Sequence, residues 1–242
     1  MASRFFRYQL RTTDPEAARA FYKEILGAPL REPEFGIVPL PERAAAQGAP
    51  AHWLGYIGVS DPAETAARAV LAGGQQLGPV QPAPDGSLCS ILRDPFGAIL
   101  ALSSGSADAR PGASGTQQVS VAWHVHHSQD HERSFAWYAA LFGWTATETL
   151  ELGPQNGSRQ NFAWDPSGRS VGSMTNLARE PHIHPQWLFF FRVPDLENSL
   201  ARVRALGGLT LEARQTWSGA LVAPCDDPQG AAFALWSHPG EP

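Results

Sequence analysis

Apolar and polar positions change period along this chain, and the changes mark its elements. FFRYQLR (5–11) is rich in strand-forming residues. Asp14-Pro15 follows as a helix start, and Phe21, Tyr22, Ile25 and Leu26 recur at helical spacing until Gly27 ends the helix. A second strand-and-helix unit runs from Trp53–Val59 through Asp61-Pro62 to Gly73-Gly74. Further on, an apolar and aromatic run at Trp187–Val193 precedes Asp195, and Leu196, Leu200, Val203 and Leu206 form one helix face. Asp94-Pro95-Phe96-Gly97 and Asp227-Pro228-Gln229-Gly230 place Asp, Pro and Gly as a type I turn requires. Each turn leads into a final strand, Ala98–Ser103 or Ala231–Ser237.

These elements repeat in order. FFRYQLRTTDPEAARAFYKEILGAPL (5–30) aligns with VAWHVHHSQDHERSFAWYAALFGWTA (121–146), so that Asp14 meets Asp130, Phe21-Tyr22 meets Trp137-Tyr138, and Gly27 meets Gly143. HWLGYIGVSD (52–61) matches QWLFFFRVPD (186–195), and DPFGAILALSS (94–104) matches DPQGAAFALWS (227–237). Three matched blocks in one order imply a duplication. A small, polar stretch without hydrophobic period reads as a linker over 105–117, between copy A (1–104) and copy B (118–242). The expected fold class is α+β: four βαβββ units, paired so that helices cover one sheet face and the other curls into a cup. Copy A is shortened. The stretch between Gly27 and Trp53 is about 18 residues shorter than that between Gly143 and Trp187, about the length of a β-hairpin. Pro33, Pro39 and Pro41 weaken any strand in that stretch, while QNFAW (160–164) and SVGSM (170–174) read as strands in copy B. The sequence leaves open whether unit one pairs with unit two or with unit four.

Composition narrows the partners. The chain has 242 residues, 43% hydrophobic and 17% charged, with net charge −5. That balance argues against nucleic acid or an anionic membrane as partner. No apolar leader or membrane-length run is present, so a cytoplasmic protein, monomer or homodimer, is expected. Cys89 and Cys225 do not align between the copies, which argues against a shared disulfide or zinc framework.

The strand-Asp-helix-FY…G opening, the Gly-Gly helix end and the DPxG hairpin resemble the vicinal oxygen chelate superfamily, which includes glyoxalase I, extradiol dioxygenases and bleomycin-resistance proteins. HWLGYIGVSD and DPQGAAFAL are similar to a tandem glyoxalase-like subgroup. The resemblance implies a divalent metal held by His and Glu on cup-facing strand positions. Carried over, those positions fall on Arg7 and Trp123, on Gly55 and Phe189, and on Ala101 and Ala234. None ligates a metal well, so no metal or other cofactor is expected. The alternative is a relocated transition-metal site, or a His-assisted glyoxalase or dioxygenase, drawn from the copy B histidines. His124 and His126 share one strand face but align with Tyr8 and Leu10 on the helix-packed side, and His182 and His184 lie in a Pro-bracketed loop.

Trp123, Val125, His127, Trp187, Phe189 and Phe191 are expected in the cup of copy B, an aromatic lining with one titratable group. The same residues are equally consistent with a filled second core. In copy A the corresponding positions include Arg7, Gln9 and Arg11, which suit either an anionic ligand or an exposed rim. If unit one pairs with unit four, Arg7 and Gln9 would face Phe189 and Phe191. The expected function is a metal-free, bleomycin-resistance-like protein that binds an aromatic or amphipathic small molecule.

Overall fold

A computed structural model describes residues 3–46, 48–105, 119–151, 157–216 and 218–238. The expected linker, apart from residue 105, lies outside the described residues. Copy A contributes β1 (Phe5–Thr12), α1 (Pro15–Leu26), β2 (Phe35–Pro39), α2 (Glu42–Ala46), β3 (His52–Gly58), α3 (Pro62–Leu71), β4 (Gln75–Gln76), β5 (Gln81–Pro82), β6 (Leu88–Arg93) and β7 (Ile99–Ser103). Copy B contributes β8 (Val121–His127), α4 (His131–Phe142), β9 (Thr145–Glu151), β10 (Ser158–Ala163), β11 (Gly172–Thr175), β12 (Gln186–Arg192), α5 (Leu196–Ala205), β13 (Leu209–Thr210), β14 (Arg214–Gln215), β15 (Leu221–Asp226) and β16 (Ala232–Ser237).

The strands form two sheets. A seven-stranded sheet runs β2-β1-β3-β7-β6-β4, with β5 beside β6. A nine-stranded sheet runs β13-β15-β16-β12-β8-β11-β10-β9, with β14 beside β15. The expected α+β architecture is therefore present, and so is the missing wall. Parallel to β1 lies β2, as β11 lies parallel to β8, and among the described residues copy A has no counterpart of the β9–β10 hairpin. The prolines do not prevent β2 from pairing: Pro39 ends the strand and Pro33 precedes it.

Helix starts follow the sequence signals. Asp14, Asp61, Asp130 and Asp195 each accept a hydrogen bond from a first-turn backbone N–H, and Gly27 and Gly143 end their helices at φ 70° and 74°. No helix among the described residues is long and apolar enough to cross a membrane.

By packing, the chain divides into two compact units, each drawing on both copies. The first holds the described residues of 1–7, 54–111 and 124–187; the second those of 8–53, 112–123 and 188–242. Each contains the same buried device. In the first unit, Tyr138 of α4 donates its hydroxyl to Asp94 Oδ2 (2.8 Å), and Trp187 Nε1 donates to Tyr138 Oη (2.8 Å). Asp94 Oδ1 accepts from the backbone N–H groups of Phe96 and Ala98, both at 2.9 Å, which closes the DPxG turn. In the second unit, Tyr22 of α1 donates to Asp227 Oδ2 (3.2 Å), Trp53 Nε1 donates to Tyr22 Oη (2.9 Å), and Asp227 Oδ1 accepts from Gln229 and Ala231 at 2.9 Å.

The units differ at one residue of this device. His126 Nε2 lies 2.7 Å from Asp94 Oδ2, both side chains wholly buried, whereas copy A has Leu10 at the aligned position. His126 thus lies on the helix-packed face, as its alignment with Leu10 predicts. A buried polar group left without its hydrogen-bond partner costs about 1–3 kcal/mol, and Asp94 supports two of them, His126 and Tyr138. Asp94→Ala is therefore expected to destabilise the protein by about that amount for each group in urea titration. Asp227→Ala is expected to cost less, since no histidine is stranded. Equal losses would contradict this reading.

Candidate functional site

In the first unit, register fixes which side chains share a face of the strands β8, β11, β10 and β9. His124, Gly172 and Phe162 line up across β8, β11 and β10, as do His126, Met174 and Gln160. Phe162, Met174 and His126 are wholly buried on this face, against α4 and a cluster of aromatic rings. Trp144 lies parallel to Phe162 at 4.9 Å, and Phe5 stacks on His124 at 5.3 Å. Gly172 is required here, since a Cβ would stand 2.6 Å from the Phe162 ring and overlap the His124 carbonyl.

The opposite face of the same strands is polar. One row runs Glu148, Asn161, Ser173, Val125; the next runs Leu150, Arg159, Thr175, His127. His127 Nδ1 and Thr175 Oγ1 are 2.9 Å apart, and Asn161 Nδ2 donates to Glu148 Oε2 at 3.3 Å. Asn161 is fully buried and Ser173 nearly so. Yet Asn161 Oδ1 and Arg159 Nε, both buried, have no hydrogen-bond partner among the described residues. A buried polar atom left without a partner costs about 1–3 kcal/mol, so two on one face need an explanation.

Burial pulls His127 down to about 4, with His126 a smaller cause, and the imidazole is neutral at pH 7. Arg159 is lowered by burial and pushed back up by Glu148. His124 is likewise pulled to about 4 by burial, offset in part by its Nδ1 bond to the Val171 carbonyl. His131 bonds Asn176 and Ser158 at the start of α4, and His182 and His184 lie exposed in their loop.

The residues picked from sequence divide. Val125 and His127 lie on the polar face of the first unit. Arg7 also belongs to the first unit; Gln9 belongs to the second, where it accepts a bond from Arg11 Nε at 3.4 Å. Trp123 stacks on Trp236 at 5.9 Å in the second unit. Trp187, Phe189 and Phe191 lie on the other side of β12 from that expected. Trp187 is bonded to Tyr138 of α4, Phe191 packs on Tyr22 of α1 and on Phe233, and Phe189 packs on Tyr8. They are core residues, not lining. The physical reason is that QWLFFFR is apolar on both faces, so alternation cannot tell one face from the other. The same one-residue offset applies to β3, where Trp53 bonds Tyr22 while Leu54 and Tyr56 form the other face with Ala101.

Sequence reasoning missed Glu148, Arg159, Asn161, Ser173 and Thr175. The first three sit on the hairpin that copy A lacks, so the repeat gave no second copy to compare. The remaining signal is polar-apolar alternation in TETLE and SRQNFA.

With the strand faces corrected, the family's metal positions in the first unit are Arg7, Tyr56 and Ala101. The Arg7 guanidinium lies 5.0 Å over the Tyr56 ring, and Tyr56 pairs with Ala101 in register. In the second unit they are Trp123, Phe190 and Ala234, with Phe190 and Ala234 paired. A guanidinium cation, a single phenol lying under that cation, an indole, a phenyl ring and two methyl groups do not make a ligand set for a divalent cation. Among the described residues, no group of three or more His, Cys, Asp or Glu side chains is placed to share a metal ion.

A glyoxalase-like domain model matches residues 8–102 and 123–236, and the chain belongs to that family, within the vicinal oxygen chelate superfamily. Proteins named "Putative glyoxylase CFP32" from Mycobacterium bovis and Mycobacterium tuberculosis are 28% identical over 246 aligned residues, covering 93% of this chain and 91% of theirs. Among solved structures, homoprotocatechuate 2,3-dioxygenase from Arthrobacter globiformis superposes with TM-score 0.64 at 16% identity, covering 100% of this chain and 82% of that one. The Mn(II)-bound glyoxalase from Novosphingobium aromaticivorans gives 0.60 at 14% identity, covering 97% and 83%. At such identities these likenesses show the fold.

The buried histidines set a pH dependence. An unfolded histidine titrates near 6.5, and native His124 and His127 near 4. Between those values the unfolded chain binds more protons, so stability is full above about pH 6.5 and falls as pH drops toward 4. The urea midpoint is expected to be lower at pH 5 than at pH 7.5, and His127→Asn is expected to flatten the fall. A pH profile unchanged by that substitution would contradict the burial argument.

Proposed function

We propose that the protein is a metal-independent, glyoxalase-like binder of an amphipathic small molecule, which docks on the polar face of copy B. Residues 1–104 and 118–242 are its two repeats. The observation that carries this reading is the pair of buried, unpartnered atoms, Asn161 Oδ1 and Arg159 Nε, on the same face as His127 and Thr175. Asn161 Oδ1 calls for a hydroxyl or amide donor. Arg159 Nε calls for an acceptor oxygen, and Val125 and Leu150 on the same rows take an apolar part. The neutral His127 ring, oriented by Thr175, adds a further polar contact at pH 7 without adding charge. The mismatch at both sets of family metal positions supports binding without a divalent cation.

Thermal-shift screening of aromatic compounds that carry a hydroxyl or amide next to an acceptor oxygen tests the proposal, followed by calorimetry on the hits. At least one such compound is expected to raise the melting temperature, and Asn161→Leu and His127→Ala are each expected to weaken it tenfold or more. Added Mn²⁺ or Zn²⁺ is expected to shift neither melting nor affinity. Unchanged affinity in both variants, or binding that requires the metal, would overturn the reading.

A further inference from the structure

We propose a second site, in copy A: the open face carrying Arg7 binds an amphipathic monocarboxylate, and Asp85 occupies the carboxylate's place when the ligand is absent. All of its residues lie in the first compact unit.

Arg7 is a largely buried cation on an apolar floor. Its side chain is 12% exposed, and its guanidinium lies over the Tyr56 ring. Leu54, Tyr56 and Ala101 form the buried centre of the floor, and Phe6, Ile91 and Ile99 pack around it while remaining half-buried. The apolar surface is therefore not closed over. Arg7 Nε is buried and has no hydrogen-bond partner among the described residues.

The counter-charge is poorly matched to this cation. Asp85 Oδ2 lies 3.6 Å from Arg7 Nη1, beyond the roughly 2.7–2.9 Å of a charge-assisted bond, and makes a single contact. Asp85 is also satisfied elsewhere. Its Oδ1 accepts from Ser87 N at 3.0 Å and Ser87 Oγ at 2.6 Å, in a turn where Gly86 N donates to the Ala83 carbonyl. Those two Ser87 bonds, ahead of Arg7, hold its carboxyl below the usual carboxylate range. Asp85 is about half exposed, so releasing Arg7 returns it to water with its local bonds intact.

A free monocarboxylate would serve Arg7 better. Its two oxygens match the guanidinium fork in a way that one distant Asp85 oxygen does not. Its apolar body would cover Ile91 and Ile99, which remain half-buried beside Asp85. An inorganic anion would supply the charge without the covering, and a neutral amide the covering without the charge.

Calorimetry with benzoate, phenylacetate and hexanoate tests this, with benzamide and chloride as controls. Benzoate is expected to bind the full-length protein, and in the Asn161→Leu background, where the copy B face is disabled, benzamide is expected to bind at least tenfold more weakly than benzoate. Asp85→Asn removes the competing carboxylate and is expected to tighten benzoate about tenfold. Arg7→Gln is expected to abolish binding, and Arg7→Lys to leave it weak, with melting temperatures recorded to confirm folding. If Arg7→Gln unfolds the protein, the Asp85→Asn result decides. Asn161→Leu, which disables the copy B face, is expected to leave the benzoate signal in place. Benzamide binding equal to benzoate in the Asn161→Leu background, benzoate affinity unchanged by Asp85→Asn, or a signal lost in Asn161→Leu but kept in Arg7→Gln would each overturn the proposal.

Discussion

Everything in this fold depends on one carboxylate per compact unit. Asp94 and Asp227 close the last turn of each copy through two backbone N–H groups, then turn their second oxygen onto a buried tyrosine. Taking a carboxylate out of water is costly unless every lone pair is used. The tyrosine comes from the first helix of the other copy, and a tryptophan indole fixes its hydroxyl. A turn, a helix and a strand from different parts of the sequence are thus held at one point. This explains why the compact units cut across the repeats instead of following them.

With the helix-packed faces so constrained, the opposite faces were free to diverge. In the first unit, copy A presents an apolar floor topped by one arginine, and copy B presents ladders of Asn, Ser, Thr, His and Arg. Both depart from the metal-binding pattern of the superfamily. In copy A a guanidinium stands at a ligand position, and in copy B an indole stacked on a second indole. The extra hairpin of copy B supplies Glu148, Arg159 and Asn161, so the change in sheet size and the change in chemistry come from the same insertion.

Much of this was legible in the sequence because it rests on local chemistry. The Asp caps, the glycines after α1 and α4 and the DPxG turns are each specified within a few residues, and the duplication showed them twice. The seven- against nine-stranded difference followed from length alone. His126 on the helix side followed from its alignment with Leu10. The face of β12 was not legible, since Leu188 and Phe190 are as apolar as Trp187, Phe189 and Phe191. Nor was the network at Asp94 and Asp227, because a turn motif gives no sign of a tyrosine far away in sequence. The polar ladder escaped for a third reason: its meaning depends on register between strands, and the hairpin had no partner copy to reveal that register.

The central claim is that each compact unit is completed only by both halves of the chain. The direct measurement is to produce residues 1–104 and 118–242 as separate polypeptides and follow urea unfolding by near-ultraviolet circular dichroism, alone and mixed. The account predicts no cooperative transition from either half alone and recovery of the native aromatic signal on mixing. A half that unfolds cooperatively by itself, with its tryptophans already in fixed surroundings, would contradict it.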